Sequence, residues 1–258
     1  MNVPLLDAVR TMRLRWLVGR QLRNATEVWD AYGQGRPIPP LLFRNGMVLH
    51  HGPGDAPVFL LLEVFANGCY RRRMPSTLHG TVLDLGANIG AFTLDCARRF
   101  PRALIHAYEP NPETVATLRR NIAVNGLDSR VRVFAEAVGG HCGTLHLAAG
   151  EGHLASTAYG ATGDGPGTMV PVVDLRTVLS RIEGTASFVK FDVEGAEADI
   201  LEAAADVLPR VAEVLGEFHE HLVPGVRDRV AAALGAAGFD VKLVTSRRCG
   251  PVFHGRRR

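Results

Sequence analysis

No two cysteines in this chain stand at C-x-x-C spacing, and no histidine pair follows at the spacing of a structural zinc site. Cys69, Cys96, Cys142 and Cys249 are far apart, a usage that predicts reduced thiols and a cytoplasmic setting. Long apolar runs are missing as well. The longest, VFLLLEVFA, falls well short of the roughly 18 residues that a membrane span needs. The basic, amphipathic start MNVPLLDAVRTMRLRWLVGR has no uninterrupted apolar stretch with a small-residue cleavage site, so an unprocessed chain without a membrane partner is expected. Charge of one sign is also lacking: 29 Lys and Arg against 26 Asp and Glu give a net of only +3, which argues against a general polyanion binder. The surplus is local, at Arg10, Arg13, Arg15, Arg20 and Arg23, at Arg71 to Arg73, and at Arg247, Arg248 and Arg256 to Arg258. Solvated surface arginine accounts for these, and nucleic acid is not the expected partner.

What is present is ample core material. The hydrophobic fraction is 47% and the charged fraction 21%, a globular composition, and 258 residues suffice for one or two domains. Apolar residues at helical spacing (Leu14, Leu17, Val18, Leu22) predict a helix near the start, ended by GQGRPIPP. Two strand-like pieces, 47–50 and 58–64, flank the turn material GPGDAP and predict a hairpin. Residues 1–80 are therefore read as an N-terminal cap of helix plus hairpin.

From Thr81 the pattern becomes regular. Strand-like runs (TVLDL, ALIHAYE, VRVFAE, SFVKFD, VAEVLGEF) alternate with helical segments (AFTLDCARRF, PETVATLRRNIAV, AEADILEAAADVL, VRDRVAAALGAA). This alternation predicts an α/β fold over residues 81–258: a doubly wound, mostly parallel, Rossmann-like sheet buried on both faces. Asn111 with Pro112 can start one helix, and Gly126 and Gly238 can stop two others. FDVKLVTS reads as a further strand near the sheet edge. The Gly-rich interval 148–168, with His153, Ser156 and Thr157, reads as a loop able to close over a site.

After TVLDL comes DLGANIGAFTL, a glycine turn opening a helix. A dinucleotide fingerprint needs a glycine where Asn88 stands, and Asp84 is a poor neighbour for a diphosphate. A cationic ligand gains from that carboxylate, and S-adenosylmethionine carries an ammonium and a sulfonium but no phosphate. A nicotinamide dehydrogenase is disfavoured for the same reasons. The cofactor-side candidates are Asp84, Gly86, Ala87, Asn88, Gly90 and Thr93 in this segment, and Glu109 with Asn111 after the next strand. Glu109, about 20 residues beyond the loop, is where an acid clamps ribose hydroxyls in such folds. Two charge-assisted hydrogen bonds there contribute roughly 1.5 to 3 kcal/mol each. Glu136 and Ala137, after the third strand, are placed at an adenine edge.

The segments VLDLGANIGAFTL, AYEPNPETVATLRRNIAVNG, FAEAVGG and FVKFDVEGAEADIL, in this order, resemble the motifs of the FkbM family of S-adenosylmethionine-dependent methyltransferases. The resemblance covers roughly residues 81–246. It implies a class I methyltransferase fold and methyl transfer to oxygen on small metabolites, natural products or sugars, and it marks Glu194 as a site residue. A carboxylate or amine acceptor, or a catalytically idle binding module, keeps the same cofactor motifs.

At the end of SFVKFD, Asp192 lies at the crevice of a doubly wound sheet, where it faces the cofactor or the acceptor, and Lys190, two residues earlier, shares its face as a catalytic part or as a structural ion pair. Glu197 is explained by the helix dipole alone. In LGEFHEHL, Glu217, His219 and His221 alternate and share a face if the strand runs that far. His219 is the first candidate general base, with Glu217 as orienter or acceptor ligand. Asp192 could contribute to a magnesium site, but no further ligand signature is evident, so no metal is expected. A small hydroxyl-bearing molecule is the expected partner, and the oligomeric state, including a homo-oligomer, is left open.

Overall fold

The structure is a computed structural model that describes residues 12, 14–148, 167–246 and 250–258. The predicted closing loop, with His153, Ser156 and Thr157, lies mostly outside the described residues. A helix α1 over residues 14–21 and α2 (Ala25–Gly33) lead into a small antiparallel pair, β1 (Leu41–Leu42) and β2 (Val48–Leu49). The predicted hairpin partner at 58–64 is helical instead: α3 (Pro57–Leu60) runs on as a π-helical turn, Leu61–Ala66. The physical reason is readable. Pro57 takes the first helical position, where its missing N–H costs nothing, and a run apolar on all sides carries no strand period.

The main sheet has seven strands in the order β11-β12-β10-β9-β3-β4-β5. Its parallel core comprises β3 (Gly80–Leu85), β4 (Ala103–Tyr108), β5 (Val131–Phe134), β9 (Ala186–Phe191) and β10 (Glu213–Glu217). β11 (Phe239–Ser246) forms the edge and pairs antiparallel with β12 (Gly250–Arg257), a strand the sequence pattern did not announce. A second sheet of β6 (Ala137–Gly139), β8 (Gly167–Asp174) and β7 (Gly143–Ala148) stands beside it, also unannounced because its strands are short or half exposed.

Helices cover both faces, as the continuous apolar strands require. One cluster packs α4 (Ala91–Arg99) and α5 (Pro112–Val124) together with cap residues such as Leu22, Phe43 and Phe65 against Val82 and Phe188. The other packs α6 (Leu175–Ser180), α7 (Glu197–Ala203) and α8 (Val226–Ala236) around Leu83, Val189 and Phe253. Asn111 caps α5 as expected, its side chain accepting the N–H groups of Glu113 at 2.9 Å and Thr114 at 3.3 Å. Cys96 and Cys142 are free thiols, whereas Cys69 is disulfide-bonded, which corrects the expectation of four reduced cysteines. Among the described residues, no helix is long and apolar enough to cross a membrane.

The chain order reverses at β3: β4 and β5 follow on one side, β9 and β10 on the other. Such a switch point leaves a crevice at the carboxyl ends of the strands.

Candidate active site

A cavity of about 810 Å³ opens at that crevice. Its floor is the loop after β3 and the turn after β9, held together by Gly86. This glycine has φ +77°, and a Cβ on it would collide with the backbone carbonyl of Asp192. No other residue fits both the left-handed conformation and the close approach. Asn88 is also left-handed, at φ +50°, and its side chain accepts the Ile89 N–H at 2.6 Å.

At one end, Gly86, Ala87, Asn88, Glu109, Glu136 and Ala137 line the wall. Glu109 is almost fully buried, and its two oxygens each accept a backbone N–H at 2.9 Å, from Asn88 and Asn111. Burial pushes its carboxyl up to about 7, against the pull of those two N–H groups. Glu136 lies on the wall but its carboxylate is forked by Arg181 at 2.5 and 3.1 Å, and Arg181 in turn covers the Phe134 ring.

Four of the expected cofactor-side residues stand behind the wall. Asp84 is fully buried: it accepts the Thr93 hydroxyl at 2.5 Å, and its other oxygen sits 3.2 Å from Lys190 without a hydrogen bond. Gly90, at φ +93°, opens α4, Thr93 is spent on Asp84, and Asn111 is spent on capping α5. The direct electrostatic contact expected of Asp84 is therefore absent from the cavity. Asp84 acts instead by holding Lys190, because its strand position turns it under the first turn of α4.

The opposite end gathers Lys190, Asp192, Glu194, Glu217 and His219, all on the wall. Lys190 donates to the Gly86 carbonyl at 2.7 Å and bridges Asp84 and Asp192, each at 3.2 Å. Burial opposes its charge, yet the two aspartates outweigh burial and raise its pKa. Glu194 is left-handed at φ +53° and precedes Gly195 at φ +103°, a tight reversal that folds the glutamate back toward His219. β10 ends at Glu217, so His219 and His221 reach the cavity from the following turn and not from the strand.

Three residues that sequence reasoning passed over complete this end. Glu197, attributed to the helix dipole, is fully buried; its carboxylate accepts the Gly195 N–H and lies 2.6 Å from His219 Nδ1. Tyr70 donates to Glu217 at 2.8 Å and approaches Asp192 at 3.5 Å. Glu63, carried by the π-helical turn, lines the cavity and shares a hydrogen bond with Glu217. Burial first, then the charge of Asp192, pushes both carboxyl groups upward. The only prior signals were a glutamate inside the apolar run VFLLLEVFA and a lone tyrosine before three arginines, neither with a spacing to mark it.

His219 is shifted too. Burial opposes its charge, but the hydrogen bond and charge of Glu197, with Asp192 and Glu194 nearby, raise it to about 9. A raised pKa favours the charged imidazolium, which works against the general-base role expected of His219.

Residues 84–240 match a family described as the methyltransferase FkbM domain. Among curated relatives, methyltransferase sdnD of Sordaria araneosa is 38% identical over 90 residues, 34% of either chain. The 31-O-demethyl-FK506 methyltransferase FkbM of Streptomyces tacrolimicus is 35% identical over 95 residues, 36% of either chain. The matches thus span about a third of these relatives' length. A putative caffeoyl-CoA O-methyltransferase from Staphylococcus aureus aligns in three dimensions over 97% of this chain and 99% of its own, at TM-score 0.48 and 10% identity.

Proposed function

Because the chain belongs to the FkbM methyltransferase family, we propose that it transfers a methyl group from S-adenosylmethionine to a hydroxyl oxygen of a small molecule. The observation that carries this reading is Glu109: a buried carboxylate at the end of β4, fixed by two N–H groups beside the Gly86–Asn88 loop, presented to a cavity rich in acid. A ribose diol suits such a carboxylate, whereas a diphosphate would meet Glu109, Asp192 and Glu194 at close quarters.

In this reading Gly86 to Asn88 let the backbone approach the nucleoside, and Ala137 and Val138 border the base. Asp192, at the junction of the two ends, favours the donor's positive charge and aligns the methyl carbon with the acceptor. The carbon–sulfur bond breaks as the carbon–oxygen bond forms, the electron pair stays on sulfur, and the hydroxyl proton passes to the carboxylate-rich end. Phe59, Leu60 and Val64 of the cap supply an apolar wall on the acceptor side. The name of the Streptomyces tacrolimicus relative, which specifies an O-methylation, supports oxygen as the acceptor atom.

Calorimetric titration with S-adenosylhomocysteine, NAD and ADP tests the reading. Saturable binding of S-adenosylhomocysteine, weakened at least tenfold by Glu109→Ala, is the expected result. Preference for either diphosphate nucleotide sinks it.

A further inference from the structure

We propose that Asp192, Glu194 and His219 bind one divalent first-row transition cation at the acceptor end of the cavity. Each offers a ligand atom, and these atoms lie within 4.8 Å of one another. They come from two turns, the one after β9 and the one after β10, that the parallel pairing of β9 and β10 brings side by side.

The histidine is what distinguishes this group from a set of surface acids. Its side chain is nine-tenths buried, and Nδ1 is held at 2.6 Å by the fully buried Glu197. That contact sends Nε2 toward the carboxylates, 3.3 Å from Glu194 Oε2 and 3.7 Å from Asp192 Oδ1, where it makes no hydrogen bond to any described residue. Three electron-pair donors converging on one point need something positive between them: a proton on Nε2, or a cation in its place. A carboxylate orienting the far nitrogen of a histidine ligand is the usual outer support of a metal site.

Charge favours the cation. Asp192 uses its other oxygen for Lys190, at 3.2 Å, and Tyr70, at 3.5 Å, leaving Oδ1 for the cluster. Lys190 is shared with Asp84, so its charge is already taken and does not neutralise Glu194. Glu63 and Glu217 add further acid nearby. One imidazole with two carboxylates suits Mn²⁺ or Zn²⁺ better than Mg²⁺ or Ca²⁺, which favour oxygen throughout. Three protein ligands leave positions for oxygen on the cavity side, so the ion could hold an acceptor hydroxyl. That role rests on the methyl-transfer reading; the binding site itself does not.

The test is calorimetric titration of metal-stripped full-length protein with MnCl₂ and with ZnCl₂. We expect one equivalent of either ion, bound at least tenfold more weakly by Glu194→Gln and by His219→Gln. Glu197→Gln, which acts only through the histidine, should weaken binding about 10- to 100-fold. Asp206→Asn, remote and exposed, should leave it unchanged. If His219→Gln or Glu197→Gln fails to fold by circular dichroism, Glu194→Gln and Asp192→Asn, whose side chains are partly exposed, carry the comparison. No saturable binding of either ion by wild type, or wild-type affinity in both carboxylate variants, overturns the proposal. Titration of the same samples with S-adenosylhomocysteine separates the two readings: a protein that takes this ligand and neither metal refutes the cation site alone, and one that takes a metal but not this ligand supports the site and refutes the donor.

Discussion

Glu109 offers a sharp pH dependence at the residue scale. Its carboxyl is raised to about 7 by burial, so lowering the pH through 7 neutralises it in the free protein. In the proposed function the charged form accepts ribose hydroxyls, and the protonated form must surrender an acceptor position. Affinity for S-adenosylhomocysteine should therefore be full above pH 8 and fall as pH drops, by up to about tenfold per pH unit well below 7. Glu109→Ala should start weaker and lose this dependence. Binding measured at pH 6, 7 and 8 on both proteins decides the matter, and a flat wild-type profile would remove Glu109 from the ligand. Gly86 makes a second residue-scale case. Alanine there meets both the φ of +77° and the Asp192 carbonyl, so Gly86→Ala should cost more than about 2 kcal/mol in thermal or urea unfolding. A stability within 0.5 kcal/mol of wild type would show that the loop and turn are not locked together.

At the scale of elements, the cap is fastened to the fold by Arg71, which forks the Asp95 carboxylate of α4, and by Tyr70, packed edge-on against Phe92. Asp95 is nearly buried while Arg71 is a third exposed, so the pair is only partly screened. Arg71→Ala should destabilise by about 1 to 3 kcal/mol and shift the position of Glu63 and Tyr70, raising the acceptor KM more than the affinity for S-adenosylhomocysteine. Equal effects on both ligands would contradict a cap devoted to the acceptor side. These same elements mark the limits of what was legible beforehand. The parallel strands and their helices were readable because period and punctuation agreed, as with Asn111 and Pro112 opening α5. The stretch 58–64 was misread because a uniformly apolar run has no period, and Pro57 outweighed its strand-like composition. Glu109, Lys190 and Asp192 line the cavity, as strand ends facing the crevice led one to expect; Glu194 was marked by the family resemblance, and His219 lines the cavity from a turn, although a longer strand was expected there. Glu63, Tyr70 and Glu197 were not singled out: Glu63 arrives from an element whose fold was misread, Tyr70 from a turn after it that carries no motif, and Glu197 had a sufficient local explanation. Asp84 was assigned a partner it cannot touch: a strand-end position does not reveal which face the side chain takes, and Lys190 claims it.

On the scale of the whole molecule, cap and sheet share a core. Leu22, Leu41, Phe43, Leu61 and Phe65 of the cap belong to the same buried cluster as Val82 and Phe188 of the sheet, Ile89 of the loop after β3 and Phe92 of α4. Phe188 is fully buried on β9 and stacked at 6.4 Å on Phe92, which in turn meets Tyr70 at 5.4 Å. Neither part can lose its packing without exposing apolar surface of the other, at about 25 cal/mol per Å². Calorimetry should accordingly record one transition whose van't Hoff and calorimetric enthalpies agree. Phe188→Ala, costing about 3 to 5 kcal/mol, should lower that transition as a unit, seen equally by far-UV circular dichroism and by the fluorescence of Trp29, which packs on the cap side. Two separated transitions, with the tryptophan signal insensitive to Phe188→Ala, would mean that the cap folds on its own and that Phe59, Leu60 and Val64 move independently of the sheet side of the cavity.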